Sequence, residues 1–129
     1  MTKMDIDKKN DLIYLASPYT TRYDGQRIYR VTKARQVTAV LIMQGYMVYA
    51  PIPMSTHIWK TSSALRYVDP YKYDLRLLEK CDKLMVLMLP GWDESVGVKL
   101  EIKHAKALGM SVAYVKADDD FTNITWEVD

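Results

Sequence analysis

The sequence predicts a doubly wound, Rossmann-like α/β domain, in which a mostly parallel sheet of four to five strands carries helices on both faces. Short, continuous apolar runs alternate along the chain with longer segments of helical periodicity. Uninterrupted apolar runs are typical of strands that are buried on both faces of a sheet. Because parallel strands are joined by right-handed crossovers, the intervening helices are expected to cover both faces.

The composition is that of a soluble globular domain. The 129 residues are 49% hydrophobic and 26% charged, and this length suits one domain. The formal net charge of +2 gives no reason to expect a nucleic acid polymer or a membrane surface as a partner. The single cysteine, Cys81, has no internal disulfide partner, and residues 1–11 lack the apolar core of a signal peptide. A cytoplasmic protein is therefore expected.

Five segments are candidates for strands. The first four are short apolar runs, and the first two of these end at prolines, which cannot continue a central strand. The last segment is predicted to be a fifth strand or an extended tail. The five segments are residues 12–16, 46–50, 83–89, 110–115 and 121–128.

Three segments are predicted to be helices. Residues 24–44 repeat apolar side chains at helical spacing and end at Gly45, a typical C-terminal cap. Residues 70–81 begin with a proline, which suits a first turn. Residues 95–108 also end before a glycine.

The remaining segments show no clear period. Residues 1–11 are expected to form a flexible polar lead-in to a single domain over residues 12–129. Residues 51–69 are expected to form a long loop with room for a short helix.

The first helix is predicted to have an apolar face toward the sheet and a basic face in solvent. Arg22 or Arg27 is also placed to reach an anionic ligand. The apolar set is Ile28, Val31, Ala34, Val37, Val40 and Leu41, and the basic set is Arg22, Arg27, Arg30, Lys33 and Arg35.

The predicted fold places a ligand site at the carboxyl ends of the strands. In open α/β sheets, ligands bind beyond these ends, next to the point where the strand order reverses. Three loops leave the strands here, residues 17–22, 51–57 and 90–97, and all are rich in polar and aromatic residues. Tyr19 and Trp92 lie in these loops and are candidates either for stacking on a planar ring or for ordinary loop packing.

Ser95, Gly97 and Glu101 form the strongest candidate constellation. Ser95 stands at the predicted start of a helix, where its hydroxyl can cap a backbone N–H and where anions bind. Gly97 lacks a side chain, so a ligand can approach the backbone closely. The side chain of Glu101 leans back toward the start of the helix, over the glycine. The alternative is a capped helix with a solvated glutamate.

Asp74 is a second candidate acid. It lies in the predicted helix over residues 70–81, among tyrosines and leucines. There it is either a solvated residue or a partner of Glu101 in the same pocket. Paired carboxylates can divide the work of catalysis, since one stays ionised while the other transfers a proton.

The sequence gives no sign of a metal or a cofactor. His57 is a lone histidine in a loop, without a cysteine or a second well-spaced histidine to complete a metal site. Neither the GxGxxG dinucleotide fingerprint nor the P-loop pattern occurs. We therefore expect a site that uses protein side chains alone.

Four segments carry an ordered set of motifs, which include SPYT and LPGW…SxGVxxE. They are residues 13–19, 45–51, 74–82 and 87–105. Together they resemble the nucleoside 2-deoxyribosyltransferase-like superfamily, and most closely a small bacterial and phage branch of it. The resemblance spans residues 12–116 and implies an enzyme that cleaves or transfers an N-glycosidic bond without metal or cofactor.

The resemblance implies a role for each candidate residue. Glu101 matches the glutamate that attacks C1′ of a 2′-deoxynucleoside, and Asp74 matches the aspartate that assists protonation of the base or orients the sugar. Tyr14 matches an aromatic hydroxyl close to that glutamate, and Ser17 matches a small residue near the substrate. Because the nucleophile must be ionised, we expect an ordinary or lowered pKa for Glu101 and a partly protonated Asp74.

Ser95 bears on the choice of substrate. Members of the superfamily that act on free nucleosides tend to place an acid at this position, and members that act on 5′-monophosphates resemble this chain in having serine. A hydroxyl at a helix N-terminus favours a phosphate. A 2′-deoxynucleoside 5′-monophosphate is therefore expected rather than a nucleoside, although the nearby Asp93 and Glu94 weaken that inference.

Several alternatives stay open at this point. The sugar can pass to water or to a second base, so hydrolysis and transfer both fit. A non-catalytic nucleotide-binding module and a hydrolase of NAD-type nucleotides are alternative functions. The resemblance also implies a homodimer or larger homo-oligomer, in which Asn123 or Trp126 is a candidate to complete a neighbour's site.

Overall fold

The computed structural model describes residues 4–120 and 123–128 of the chain. These residues form a five-stranded sheet and four α-helices. The strands are β1 (Leu12–Ala16), β2 (Met47–Tyr49), β3 (Lys83–Leu87), β4 (Ser111–Ala117) and β5 (Ile124–Val128). The helices are α1 (Asp24–Met43), α2 (Pro51–Trp59), α3 (Pro70–Leu78) and α4 (Val96–Ala107), and short 3₁₀ helices cover Ser63–Tyr67 and Trp92–Glu94.

The sheet confirms the predicted doubly wound fold. Its strand order is β2-β1-β3-β4-β5, with β1 to β4 parallel and β5 antiparallel to β4. The chain moves outward from β1 to β2 on one side and from β3 to β4 on the other. The strand order therefore reverses between the adjacent strands β1 and β3, which is where ligands bind in open α/β sheets.

Each face of the sheet has its own apolar core, because successive side chains of a strand point to opposite faces. On β1, Ile13 and Leu15 join the core that α1 covers. Tyr14 lies between them in sequence and joins the core that α3 and α4 cover. Tyr14 therefore points to the face whose helices carry Asp74 and Glu101.

The segment over residues 51–69 is more helical than the long loop with room for a short helix that was predicted for it. Residues 51–59 form α2, with Pro51 in the first turn, and a 3₁₀ helix follows. The prediction treats the prolines as breakers, but the first turn of a helix tolerates proline because the N–H that it lacks has no partner there. The second loop expected at the site is therefore the start of a helix.

Helix α1 departs from its predicted faces at two positions. Ile28, predicted to lie in the apolar stripe, is 66% exposed, and Arg30, predicted to lie in solvent, is only 6% exposed. The Arg30 guanidinium turns inward and donates hydrogen bonds to the backbone carbonyls of Thr20 and Pro90. The first turns of α1 thus face loops at the edge of the sheet rather than apolar strands.

Both ends of the described chain add to the fold. Met4 is buried and Ile6 packs against the core beneath α1. Residues 124–128 form the fifth strand, and Phe121 of that predicted segment lies outside the described residues. Of the helices in the described part, none is long and apolar enough to cross a membrane.

Candidate active site

A large cavity opens at the carboxyl edge of the sheet, beside the reversal of strand order. Its volume is about 620 Å³, within the range of small-molecule sites. The loop after β1, helices α2 and α3, and the start of α4 enclose it. Its polar wall includes Ser17, Thr20, Ser55, Thr56, Asp74, Ser95 and Glu101; its aromatic side chains are Tyr19, Trp59 and Tyr71, and its cations are Lys60 and Arg66.

The structure brings together most of the residues predicted for the site. The cavity wall contains six of the eight: Ser17, Tyr19, Asp74, Ser95, Gly97 and Glu101. Tyr14 lies behind the wall, where it interacts with the Glu101 carboxyl. Trp92 is not part of the wall, because its ring packs against Tyr114 with the ring centroids 5.5 Å apart. For Trp92, ordinary packing is what the structure shows.

Glu101 is buried at the wall of the cavity, with 8% of its surface exposed. It belongs to α4, whose start is capped by Ser95, since the serine hydroxyl accepts a hydrogen bond from the Val98 N–H at 3.3 Å. Burial raises the pKa of Glu101 to about 8, and the Asp74 carboxyl adds to that effect, while the Tyr14 hydroxyl opposes it. The ordinary or lowered pKa expected for Glu101 is therefore wrong, because the fold withdraws this carboxyl from water.

Asp74 reaches the cavity from α3. This helix begins at Pro70, and Asp69 caps it by accepting a hydrogen bond from the Tyr71 N–H at 2.9 Å. Burial raises the pKa of Asp74 to about 6, in keeping with a partly protonated acid. Since the two carboxyls interact, they titrate as a pair, which holds about one proton near neutral pH.

Tyr14 is fully buried between the sheet and the two helices that bear these acids. Burial, together with the Glu101 and Asp74 carboxyls, raises the pKa of Tyr14 far above its usual value. The phenol therefore stays protonated and remains a hydrogen-bond donor. Its hydroxyl lies beside Glu101 at a geometry short of a full hydrogen bond, and its ring packs edge-on against Tyr49 at 5.8 Å.

Three buried polar atoms at this site have no hydrogen-bond partner among the described residues: Tyr14 Oη, Ser17 Oγ and Asp74 Oδ1. Buried polar groups are nearly always paired, and leaving one unpaired costs about 1–3 kcal/mol. Their concentration around one cavity is typical of a site that a polar ligand or bound water completes.

Gly97 makes room for a side chain of the protein. A Cβ atom at this position would lie 3.3 Å from Cε1 of Tyr71, a residue of α3 that also lines the cavity. The tyrosine ring therefore packs over Gly97, at the position where the sequence led us to expect a ligand. Sequence reasoning missed Tyr71 because its place on the helix surface gives no signal of this contact.

Sequence reasoning also missed the part of the cavity wall at the end of α2 and beyond it. Trp59, Lys60 and Arg66 line the cavity, but they lie beyond the loop predicted over residues 51–57. The adjacent aromatic and basic residues at 59 and 60 are the only signal that could have drawn attention to this segment. The Arg66 guanidinium donates a hydrogen bond to the Tyr67 hydroxyl at 2.9 Å.

Two further expectations from the sequence concern a metal site and the C-terminal segment. Within residues 4–120 and 123–128, no group of three or more His, Cys, Asp or Glu side chains is placed to hold a metal ion. Trp126 packs edge-on against Tyr46 of the same chain, and the Asn123 carbonyl accepts a hydrogen bond from the Asp118 N–H.

The fold and the family match define the class of protein, which is the nucleoside 2-deoxyribosyltransferase-like superfamily. The chain belongs to DUF1937, a family in this superfamily described as a domain of unknown function, whose model matches residues 11–117.

Among solved structures, the chain is similar to a 2-deoxyribosyltransferase from the psychrotolerant bacterium Bacillus psychrosaccharolyticus. The two share 23% sequence identity, with a TM-score of 0.56, over 87% of this chain and 90% of the other. At that identity the likeness is one of fold. A comparison with curated proteins finds no match.

Replacing the buried acid should change how stability depends on pH. The pKa of Glu101 is raised from 4.5 to about 8, so between these values the unfolded chain releases a proton that the folded chain retains. The native protein therefore loses stability as pH rises through this window, and Glu101→Gln lacks this contribution. From pH 5 to pH 8, Glu101→Gln should gain on the order of 4 kcal/mol relative to the native chain, measured by urea unfolding.

The exposed Glu127→Gln variant controls for the loss of one negative charge, and it should follow the native chain. Parallel pH profiles for Glu101→Gln and the native chain would contradict a buried, destabilised carboxylate at position 101.

The contact between Gly97 and Tyr71 can be measured with a double-mutant cycle. Alanine favours a helix by about 1 kcal/mol over glycine, but its Cβ would press on the Tyr71 ring, which is 39% exposed and able to shift. Gly97→Ala alone should change the free energy of unfolding by less than about 1 kcal/mol. In a Tyr71→Ala background, the same change should stabilise by about 1 kcal/mol. Equal effects in both backgrounds would show that the ring does not constrain position 97.

Proposed function

We propose that this protein cleaves the N-glycosidic bond of a 2′-deoxynucleoside 5′-monophosphate and passes the deoxyribosyl group to water or to a second base. The observation that carries this proposal is a pair of carboxyls, the buried Glu101 and the half-buried Asp74, which face one cavity beside the Tyr14 hydroxyl. Two acids whose surroundings shift their pKa values are typical of glycosyl-transfer sites. The similarity in fold to a 2-deoxyribosyltransferase supports deoxyribose as the sugar.

In the proposed first step, a carboxylate oxygen of Glu101 attacks C1′, and the bond from C1′ to the base nitrogen breaks. The electron pair of that bond leaves with the base, which takes a proton from Asp74 and departs neutral. The sugar remains as an ester on Glu101. In the second step, water or another base attacks C1′, gives a proton to Asp74, and the ester electrons return to Glu101.

The protonation state of the pair sets a condition for this sequence. With pKa values of about 6 and 8, the pair holds one proton around pH 7, and in the free protein that proton lies mainly on Glu101. The first step therefore requires the proton to move to Asp74. As the bond to the base breaks, the sugar gains positive charge, which stabilises the ionised form of Glu101 and favours that transfer.

The start of α4 supports a phosphate on the substrate. Ser95, Val96 and Gly97 line the cavity at the helix N-terminus, where the helix dipole and backbone N–H groups favour an anion. Glu94 lines the same region and opposes a phosphate. Tyr19 and Trp59 offer rings against which a base can stack.

We also infer that the protein works without metal or cofactor, as a homodimer or a larger homo-oligomer. Several apolar side chains near the cavity are exposed, and exposed apolar patches mark contact surfaces. They are Met54, Ile58, Tyr67, Val68 and Tyr73.

The decisive experiment is a base-release assay. The native chain, Glu101→Ala and the distant control Glu127→Ala are each incubated with 2′-deoxynucleoside 5′-monophosphates and with the matching nucleosides, and free base is measured by chromatography. We expect release by the native chain and the control, and a loss of about 10³-fold in Glu101→Ala. Faster release from the monophosphates would support the role given to Ser95.

Other outcomes identify the alternatives. Binding of a nucleotide in calorimetry without release of any base would favour a binding module. Release of nicotinamide from NAD would favour a nucleotide hydrolase that accepts ribose. No release from any substrate by folded protein would overturn the catalytic proposal.

The pH dependence of kcat/KM should be bell-shaped. On the acidic side, activity should rise as the pair loses its first proton at about pH 6, and it should fall as the second leaves at about pH 8. Asp74→Asn leaves Glu101 as the one ionisable group of the pair, so the bell should become a single rise as Glu101 ionises, with its midpoint below pH 8 because Asp74 no longer raises the pKa of Glu101. An unchanged profile in Asp74→Asn would contradict coupling between the two acids.

A further inference from the structure

Arg30 occupies an unusual position for an arginine. It lies in the second turn of α1, is 6% exposed, and has no carboxylate partner among the described residues. Its Nε is buried without a hydrogen-bond partner. An unpaired buried cation destabilises a fold, so stability alone does not account for an arginine at this position.

The Arg30 guanidinium joins two loops that are far apart in sequence. Nη1 donates to the carbonyl of Thr20 at 3.0 Å, and Nη2 donates to the carbonyl of Pro90 at 3.0 Å. The first loop follows β1 and the second follows β3, the two strands between which the strand order reverses. One planar group therefore fixes the separation of the two loops at the switch point.

Gly91 provides independent support for this link. Its φ is +87°, a conformation that favours glycine, and a Cβ atom there would lie 2.6 Å from Arg30 Nη2. The second loop is thus closed onto the guanidinium so tightly that no side chain fits between them.

Both loops lead directly into the cavity wall. The first carries Ser17, Tyr19 and Thr20, and the second continues to Glu94 and to Ser95, the cap of α4. From this geometry we propose that Arg30 is a positioning residue, which holds the two substrate-binding loops in register for the glycosyl chemistry. This inference rests on the proposed function for its effect on rate, but the link between the loops can be tested without it.

Arg27 offers a matched control. It lies one turn earlier on α1 and also bonds the first loop, through the carbonyl of Thr21 at 2.5 Å. Unlike Arg30, it is paired with an aspartate, Asp24, at 2.6 Å, and no bond from it to the second loop is seen among the described residues.

The first arm of the test is hydrogen exchange of Arg30→Met and Arg27→Met. Methionine fills the buried space without a charge. We expect Arg30→Met to raise exchange about tenfold or more in residues 18–22 and 89–95 together, whereas Arg27→Met affects only the first of these segments. Gly91→Ala displaces the guanidinium without removing it, but it also strains the second loop directly because of the positive φ of residue 91. Its informative readout is therefore the first loop, in which exchange should rise as it does in Arg30→Met. Unchanged exchange in the second loop of Arg30→Met, together with unchanged exchange in the first loop of Gly91→Ala, would overturn the proposal.

The second arm is kinetic and uses the base-release assay. Because a displacement of about 1 Å in a catalytic group can cost about 10²-fold in rate, kcat should fall about 100-fold in Arg30→Met, while KM changes far less. Millimolar guanidinium should restore part of the rate to Arg30→Ala but not to Glu101→Ala. A rise in KM with unchanged kcat, or a loss that guanidinium does not rescue, would contradict a positioning role.

The two arms separate the two hypotheses. If the native chain releases no base but the two loops loosen together in Arg30→Met, the proposed function is wrong and the coupling of the loops stands. If base release is normal in both Arg30→Met and Gly91→Ala, the positioning role is wrong and the proposed function stands.

Discussion

The withdrawal of two carboxyl groups from water is the constraint on which the rest of the site depends. Neither Glu101 nor Asp74 is paired with a cation in the part of the chain that the structure describes; each is held at a raised pKa by burial. A fold tolerates such groups only where the surrounding packing is fixed independently of them. Here that packing comes from the parallel strands behind them, and from Tyr14, whose phenol cannot ionise at any pH near neutral.

Much of the fold follows from apolar runs and caps. The runs at β1 and β3 and the glycines after α1 and α4 mark their elements in the sequence, because a doubly buried strand and a left-handed cap each restrict the residues allowed. The start of α2 could not be recognised in this way, because a proline is as typical of the end of a strand as of the first turn of a helix. The burial of Arg30 also could not be predicted, because a charged residue on a helix normally faces solvent. Arg30 is buried because two loops pack over the start of α1.

The positions of site residues can be predicted where the geometry of a single helix fixes them. Ser95 caps α4, and the spacing from it to Glu101 is a property of the helix, so both fall at the cavity as the sequence indicates. Contacts between different helices and strands cannot be predicted in this way. The ring of Tyr71 over Gly97 and the packing of Trp92 on Tyr114 depend on how helices and strands meet, and the raised pKa of Glu101 depends on how much water they exclude.

Successive side chains of β1 point to opposite faces of the sheet and are therefore subject to different constraints. Tyr14 lies beside the two candidate acids, whereas Ile13 and Leu15 belong to the core beneath α1. Apart from the arginine that reaches the loops, α1 contributes no described residue to the cavity wall, so its apolar face can be redesigned for heat tolerance with little effect on the site. Variation among natural homologues should accordingly be greater on that face, where any apolar set of the right volume suffices.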